Sequence, residues 1–138
     1  MDVIGTARIL GSGGLMTLAA LHGAWAAGST WPLDDRRRLA QVVVGSEELP
    51  SAAACVSVTA LLTGAAGLVA GYPRGAPRLS RLGTAGVVAT LTVRGLAGAV
   101  GLTTRKGDSE EFAYWDRRLY SPLCLVLAGL CSAGIARR

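Results

Sequence analysis

Long uncharged stretches separate the charges in this sequence, and that spacing constrains the fold more than any other feature. A helix needs about 20 mostly apolar residues to cross the hydrocarbon core of a bilayer. Four stretches reach or approach that length, and Arg94 is the one charge inside any of them. The stretches are residues 9–33, 49–73, 82–104 and 119–136. We therefore predict four spans, at about 8–28, 51–71, 84–102 and 119–136.

The composition agrees with an integral membrane protein. Hydrophobic residues make up 51% of the chain and charged residues 17%, whereas a soluble domain has about 25% charged residues. A soluble bundle of four buried helices is the alternative, but the stretches lack the polar stripe that a soluble helix turns to water. The apolar content excludes intrinsic disorder, and three cysteines are too few for a disulfide scaffold. We predict an all-α fold, an antiparallel four-helix membrane bundle that forms one domain over residues 1–138.

Four spans place both termini on one side of the membrane. The charges on that side are basic except for Asp2: they are Arg8, Arg74, Arg78, Arg81, Arg137 and Arg138. Loops 29–50 and 103–118, on the other side, mix basic and acidic residues. The counts of lysine and arginine on the two sides are nearly equal, six against seven, but the short loop and the tail on the first side are almost purely basic, which favours cytoplasmic termini in the cell membrane. The basic residues are interpreted as topology signals and lipid-headgroup contacts, so no nucleic acid partner is expected.

The start of the chain has an alternative interpretation as a cleaved signal peptide. Ala24-Trp25-Ala26 resembles a cleavage site with small residues at both ends. The basic region before it contains only Arg8, and a tryptophan occupies the middle of the site. We therefore expect the first span to stay uncleaved.

Arg94 and His22 are polar residues that a membrane span does not need. By the helical rise they lie roughly 12 Å and 9 Å below the end of the bundle that carries loops 29–50 and 103–118. An arginine inside a span costs about 3 kcal/mol by insertion scales, so Arg94 is expected to face the bundle and pair with an anionic group. Two interpretations stay open for Arg94, an ion pair that fixes packing and a clamp for an anion or substrate. For His22 the two interpretations are a structural residue and a catalytic base.

Acidic and aromatic residues collect in the two loops at that same end. The carboxylates are available counter-ions for Arg94 and His22, and the aromatic residues are typical of an interfacial belt. Trp25 follows His22 by three positions and shares its helix face. We predict a pocket in which His22, Arg94, Asp116 and Glu111 are catalytic. The expected substrate-binding residues are Trp25, Tyr114, Trp115, Tyr120, Glu47 and Glu48.

Other kinds of site have little support in the sequence. One histidine and scattered acids form no recognisable metal-ligand set, and we expect neither a metal nor a cofactor. Cys55, Cys124 and Cys131 form no Cys-x-x-Cys motif and are interpreted as packing residues, although a Cys55–Cys124 bridge is geometrically conceivable. Ser121, just before Pro122, is interpreted as the N-cap of the last span.

Glycine and alanine recur four residues apart in every span. Small residues allow helix backbones to approach closely where lipid removes the hydrophobic force between helices. We expect these pairs to pack inside the bundle, and homo-oligomerisation is the alternative use of the same motifs. The pairs are Ala19/Gly23, Ala60/Gly64, Gly67/Gly71, Gly95/Ala99 and Gly129/Ala133.

Two segments resemble a known family. Residues 22–28, His-Gly-Ala-Trp-Ala-Ala-Gly, followed by Trp31-Pro32, are similar to the first-helix signature of a bacterial family of small four-span membrane proteins of unknown function. Residues 112–124, Phe-Ala-Tyr-Trp-Asp-Arg-Arg-Leu-Tyr-Ser-Pro-Leu-Cys, resemble that family's most distinctive stretch. Arg94 occupies the place of the family's third-helix arginine, whereas Arg117 replaces the small polar residue expected there. The resemblance implies the four-span fold and names no chemistry.

The sequence supports two classes of function. The first is a small membrane enzyme that binds a lipophilic molecule and works by cofactor-free acid–base chemistry. Isomerisation, cyclisation and epoxide opening fit, because they need only proton donors and acceptors. The second is a non-catalytic subunit or lipid-binding partner of a larger membrane assembly. A structural role for Arg94 needs only one acidic partner. The chain has more polar and aromatic residues at this end than that role needs, and this favours the enzyme.

Overall fold

The computed structural model describes residues 2–136, and over that range the chain is helical without a strand. The helices are α1 (Val3–Ala26), α2 (Arg36–Val43), α3 (Ala52–Ala70), α4 (Pro77–Ala99), α5 (Glu110–Trp115) and α6 (Ser121–Ala136). A π-helical turn, Asp116–Tyr120, joins α5 to α6. The all-α prediction is confirmed. Arg137 and Arg138, which contributed to the topology argument, lie outside the described residues.

Four helical segments are long and apolar enough to cross a membrane: α1, α3, α4 and the continuous run from α5 to α6. Their length and composition indicate a membrane protein. Three of them, α1, α4 and the α5–α6 run, begin earlier than the charge spacing predicted. The Asp2 side chain accepts a hydrogen bond from the Gly5 N–H and starts α1, and Pro77 starts α4 in the position where proline favours a helix.

The four long segments form an antiparallel bundle. Helix α1 packs against α3 and α6, and α4 packs against α6 and α3, so α1 and α4 lie diagonally opposite each other. The centre is filled by Leu15, Ala66, Val69, Leu127 and Cys131. We call the end that holds α2 and α5 the cap end, and the end that holds the 71–76 turn the terminal end.

Small residues bring the helices together, but they are mostly other residues than the predicted pairs. A Cβ on Gly11 of α1 would lie 3.1 Å from the backbone nitrogen of Cys131, and one on Gly134 of α6 would lie 3.1 Å from the Val69 carbonyl oxygen. Gly95 meets Leu125 of α6 and Ala19 is buried, so the internal packing expected of these two residues is confirmed. A Cβ on Gly64, Gly67 or Gly129 would meet nothing within 4 Å, so the expected internal packing of these three was wrong. A four-residue spacing shows that small residues share a face, but it does not show which way that face points.

The cap is held together by burial of apolar side chains and by hydrogen bonds around α2 and α5. Leu39 of α2 is fully buried and packs with Trp25 and Cys55. The Ser109 N–H donates to the Gly45 carbonyl at 2.9 Å, and the Ser109 hydroxyl donates to the Gln41 carbonyl. These contacts fix α5 against α2 and set the direction in which the chain enters the π-helical turn.

Gly11 and Gly13 of α1 offer a matched test of this packing. Alanine is favoured over glycine inside a helix by about 1 kcal/mol, so both substitutions gain the same intrinsic term. We expect Gly11→Ala to lower the free energy of unfolding in detergent, because the new Cβ meets the α6 backbone. Gly13→Ala meets nothing within 4 Å and is expected to be neutral or stabilising. Equal effects of the two changes would contradict this packing.

Candidate functional site

Asp116 occupies the π-helical turn and is fully buried. The Ser121 N–H donates to the Asp116 carbonyl, five residues back, which widens the helix at this point. Pro122 follows directly. Its missing N–H and its ring disfavour a regular α-turn, and the wider turn accommodates it. Such π-turns are often found at functional sites.

Arg94 of α4 pairs with this buried carboxylate. The Arg94 Nη2 lies 2.7 Å from Asp116 Oδ1, and the Thr103 hydroxyl donates to Asp116 Oδ2. The Ser121 hydroxyl lies 3.4 Å from Oδ1. The predicted pairing of Arg94 with a carboxylate from the loops is confirmed, with Asp116 as the partner. The pair joins α4 to the α5–α6 run, and Thr103 brings the intervening loop to the same carboxylate.

Gly98 makes the approach of these groups possible. A Cβ at this position would overlap the Ser121 hydroxyl, and it would lie 2.7 Å from Arg94 Nη1 and 3.0 Å from Asp116 Oδ2. Gly98 is four residues after Arg94, so the arginine side chain extends over the glycine toward the C-terminal end of its own helix. The sequence alone did not predict Gly98 or Thr103; the i, i+4 spacing of Gly98 from Arg94 was the available signal.

Ser121 has a different role from the one expected. Its backbone is helical, with φ −68° and ψ −48°, so it is not an N-cap. Its side chain is fully buried beside Asp116. The N-cap of this helical run is Ser109, whose hydroxyl oxygen accepts a hydrogen bond from the Phe112 N–H at 3.1 Å. The correction follows from the π-helical turn, which carries the helix through Ser121 without a break.

Two buried polar atoms at this end have no hydrogen-bond partner within residues 2–136. They are Arg94 Nη1 and the Thr104 hydroxyl oxygen. The Arg94 side chain is 37% exposed as a whole, so part of it reaches the surface of the bundle while Nη1 lies inside. A buried N–H without a partner costs about 1–3 kcal/mol, and native proteins rarely keep one without a reason.

His22 lies in a separate group on α1. Its Nδ1 is 2.8 Å from the Leu18 carbonyl, which makes Nδ1 the protonated nitrogen of the neutral ring and Nε2 the basic one. The ring meets Trp25 edge to face at 5.0 Å between centroids, and Trp25 Nε1 donates to the Trp31 carbonyl at 2.8 Å. Because α1 and α4 are diagonal, no Cα atoms of these two described helices come within 8 Å. His22 and Arg94 therefore reach the cap end from opposite corners of the bundle.

Two of the other predicted acids, Glu47 and Glu111, form ion pairs at the surface. Glu47 lies 2.6 Å from Arg37, and Glu111 lies 2.6 Å from Arg38; Arg37, Glu47 and Arg38 are exposed, and Glu111 is half-buried. Exposed pairs of this kind contribute about 0–1 kcal/mol each. Glu48 is exposed, and its backbone carbonyl accepts a hydrogen bond from Ser46. Within the described chain Arg94 pairs with Asp116, not with these three acids.

The aromatic residues near Asp116 are divided between two roles. Tyr114 and Trp115 are exposed and meet edge to face at 5.3 Å, and the Arg118 guanidinium lies 4.9 Å from the Tyr114 ring centre. Tyr120 instead donates its hydroxyl to the Val42 carbonyl at 3.0 Å and ties the π-helical turn to α2. This hydrogen bond gives Tyr120 a structural role, because it connects the cap to the bundle.

Two cavities of the described chain lie toward the terminal end. One, of about 170 Å³, is lined by Arg8, Ile9, Ser12 and Ala70. The other, of about 480 Å³, is lined by Gly64, Gly67, Leu68, Tyr72 and Pro73. A pocket shared by His22, Arg94 and the cap aromatics stays a prediction. Cys55, Cys124 and Cys131 are free thiols, so Cys55 and Cys124 are not bridged.

The chain belongs to the family described as Protein of unknown function (DUF3995), whose model matches residues 15–131. That range includes His22, Arg94, Asp116 and the whole cap. No curated protein and no solved structure matches the chain.

The Arg94–Asp116 pair can be tested by removing one charge and then both. Arg94→Met leaves the Asp116 carboxylate buried without its counter-ion and is expected to lower the free energy of unfolding by about 3–5 kcal/mol. The double variant Arg94→Met/Asp116→Leu buries no unpaired charge and is expected to be more stable than Arg94→Met alone. Unfolding in mixed micelles measures both, with Lys106→Met as the control because Lys106 is exposed. Asp116→Leu alone completes the double-mutant cycle. If the effects of Arg94→Met and Asp116→Leu add up to the effect of the double variant within about 0.5 kcal/mol, the charges do not interact.

Proposed function

We propose that this DUF3995 member is a multi-pass protein of the cell membrane that acts on a lipophilic substrate by acid–base chemistry, without a cofactor or metal. The proposal rests on the Arg94 guanidinium, of which only one terminal nitrogen has a hydrogen-bond partner. Its Nη2 holds Asp116, whereas its Nη1 is buried and has no partner among residues 2–136. A donor held in this way is suited to an oxygen of a bound molecule, which would remove the cost of the unpaired N–H.

The proposed chemistry follows from the groups at this position. Arg94 Nη1 polarises a carbonyl, epoxide or hydroxyl oxygen, and the Asp116 carboxyl group gives or takes the proton. Thr103 and Ser121 hold the carboxyl group in place. Isomerisation, cyclisation or epoxide opening fits this set, because no electron acceptor or hydride donor takes part.

His22 is the second base of the proposed site. Its Nε2 is the basic nitrogen, and Trp25 holds the ring edge to face. Since His22 lies on the helix diagonal to α4, its participation requires a substrate that reaches across the cap end of the bundle. Tyr114 and Trp115, both exposed beside the π-helical turn, would contact such a substrate from the membrane surface.

One observation favours the second candidate, a non-catalytic subunit or lipid-binding partner of a membrane assembly. Asp116 already accepts hydrogen bonds from Arg94, Thr103 and Ser121, as a purely structural carboxylate would. The acids Glu47 and Glu111 are in surface pairs. In this case the Arg94–Asp116 pair only connects α4 to the α5–α6 run. The exposed glycine faces of α3 and α6 are then available to a partner or a second copy.

Removing the proposed acid distinguishes the two candidates. Membrane lipids of the source organism, with the chain deleted and then restored, are extracted and compared by liquid chromatography and mass spectrometry. The restored chain is expected to convert one lipophilic compound into an isomer of equal mass and different retention, or into a product heavier by one water if water opens an epoxide. Asp116→Asn keeps the size of the side chain and is expected to abolish the conversion.

Glu110→Gln is the matched control, because Glu110 is an exposed acid on the same helical run. It is expected to convert the compound at the parent rate. Lipid profiles that are the same with and without the chain, or an Asp116→Asn variant as active as the parent, would remove the enzyme and leave the structural candidate.

We also propose that the terminal end faces the cytoplasm, which the basic charge of that end supports. Single cysteines at Ser46, Gly75 and Lys106 test this orientation with a membrane-impermeant maleimide, since all three positions are exposed. Ser46→Cys and Lys106→Cys are expected to react in intact cells, and Gly75→Cys only after permeabilisation. The reverse pattern would place the cap in the cytoplasm, and labelling of all three together would contradict the four-span topology.

A further inference from the structure

Arg8 lies on the side of α1 that packs against α3. Two hydrogen bonds define this side: the Ser12 hydroxyl donates to the Ala66 carbonyl at 3.0 Å, and the Thr59 hydroxyl donates to the Ala19 carbonyl at 3.3 Å. Arg8 precedes Ser12 by four residues and therefore shares its side of the helix. The Arg8 side chain thus starts from the contact between α1 and α3, and the residue is half-buried.

A cavity of about 170 Å³ lies on this side of α1. It is lined by Arg8, Ile9 and Ser12 of α1 and by Ala70 of α3. Ala70 follows Ala66 by four residues, and Arg8 precedes Ser12 by four, so the two lie opposite each other in antiparallel helices. Ser12 therefore forms the inner end of the cavity, and Arg8 and Ala70 lie one turn closer to the terminal end.

The Arg8 guanidinium has no hydrogen-bond or ion-pair partner among residues 2–136. Asp2 is the acidic residue of this end, and its carboxylate accepts a hydrogen bond from the Gly5 N–H at the start of α1. Arg8 is five residues inside the first residue of α1, about 8 Å along the axis. A guanidinium at this depth is costly unless an anionic group accompanies it.

We propose that this cavity binds the phosphate group of an anionic phospholipid. The Arg8 guanidinium donates hydrogen bonds to the phosphate oxygens, and the acyl chains stay in the bilayer beside Ile9. The site goes beyond the proposed function, because its ligand is a component of the bilayer and no reaction takes place there.

The volume of the cavity fits a phosphate group. One water molecule takes up about 30 Å³ in the liquid, so 170 Å³ corresponds to about five or six waters. A phosphate group has five heavy atoms and is of comparable size. A complete lipid is far larger, so only its phosphate enters the space between α1 and α3.

The charge of the terminal end selects an anionic lipid over a zwitterionic one. Arg74, Arg78 and Arg81 share this end with Arg8, and Asp2 is their acidic counterpart in the sequence. Phosphatidylcholine carries a cation beyond its phosphate, which these arginines repel. Phosphatidylglycerol has no such cation. Basic pockets between membrane helices are known sites for anionic lipid headgroups.

The carboxyl end of α3 lies beside the cavity, and its partial negative charge opposes an anion. Two carbonyls of its last turn are already satisfied, because the Gly71 N–H donates to Leu68 and the Tyr72 N–H donates to Gly67. The helix dipole corresponds to about half an elementary charge. Arg8 supplies a full charge and paired donors that match phosphate oxygens, so the attraction outweighs the opposing dipole.

Lipid binding to the full chain in neutral detergent tests the site. Phosphatidylglycerol and phosphatidylcholine with identical acyl chains are titrated separately, and native mass spectrometry counts the bound lipids. One phosphatidylglycerol is expected to bind about tenfold more tightly than phosphatidylcholine. Glycerol 3-phosphate, the soluble headgroup analogue, is expected not to displace it.

Two pairs of variants locate the binding. Arg8→Gln is expected to weaken phosphatidylglycerol binding about tenfold, whereas Arg78→Gln removes the same charge from an exposed position of the same end and is expected to change it less than about twofold. Ala70→Leu fills the cavity, keeps Arg8 and is expected to weaken binding about tenfold. Gly13→Leu adds the same side chain to an open face of α1 and is expected to leave binding unchanged.

Each other explanation gives its own result. Equal affinity for the two lipids would show ordinary contact with the bilayer, and equal losses in Arg8→Gln and Arg78→Gln would show a diffuse effect of charge. Displacement by glycerol 3-phosphate would show a site for a soluble anion. Each of these results overturns the proposal, as does selective binding that survives in Ala70→Leu, which decides the matter if Arg8→Gln does not fold. Asp116→Asn is expected to bind the lipid as the parent does, so the proposed function and this site fail separately.

Discussion

The charge pair between Arg94 and Asp116 is the interaction on which the cap half of the bundle depends. An arginine inside a span is costly, and the pairing offsets that cost only if the carboxylate is brought to the arginine within the protein. Three local features provide this: the π-helical turn that holds Asp116, the glycine at position 98 that leaves space, and Thr103, which contacts the second carboxylate oxygen. One pair thus fixes α4, the following loop and the start of α6 together.

The two halves of the molecule are stabilised by different forces. Between the spans, lipid removes most of the hydrophobic force, and contact depends on small residues such as Gly11 and Gly134, whose positions allow backbone approach. In the cap, ordinary burial acts, and fully burying Leu39 is worth about 1.5–3 kcal/mol. The site lies where these two regimes meet. There Asp116 is fully buried, and the Arg94 side chain is 37% exposed.

Much of this arrangement follows from the sequence because it depends on costs that any membrane protein must meet. Spacing of charges gave the four spans, and the cost of an unpaired arginine required a carboxylate partner for Arg94. The choice of Asp116 over Glu47, Glu48 and Glu111 did not follow, because all four acids lie at the same end and only the π-helical turn directs one of them inward. The roles of Ser121, Gly98 and Thr103 depend on contacts between segments that a local pattern does not contain. For the same reason, the glycines of α3 were assigned to packing although they border a cavity.

The distance between the two charged groups is the most direct test of this account. Solid-state nuclear magnetic resonance on the chain in bilayers, with 15N in the arginine guanidinium groups and 13C in the aspartate carboxyl groups, measures it through dipolar dephasing. Asp116→Asn identifies the Asp116 carboxyl signal by subtraction. The account predicts strong dephasing of that signal, as expected for the 2.7 Å contact between Arg94 Nη2 and Asp116 Oδ1. An Asp116 signal that no guanidinium nitrogen dephases would show that the pair does not form in the membrane, and the site built on it would fail.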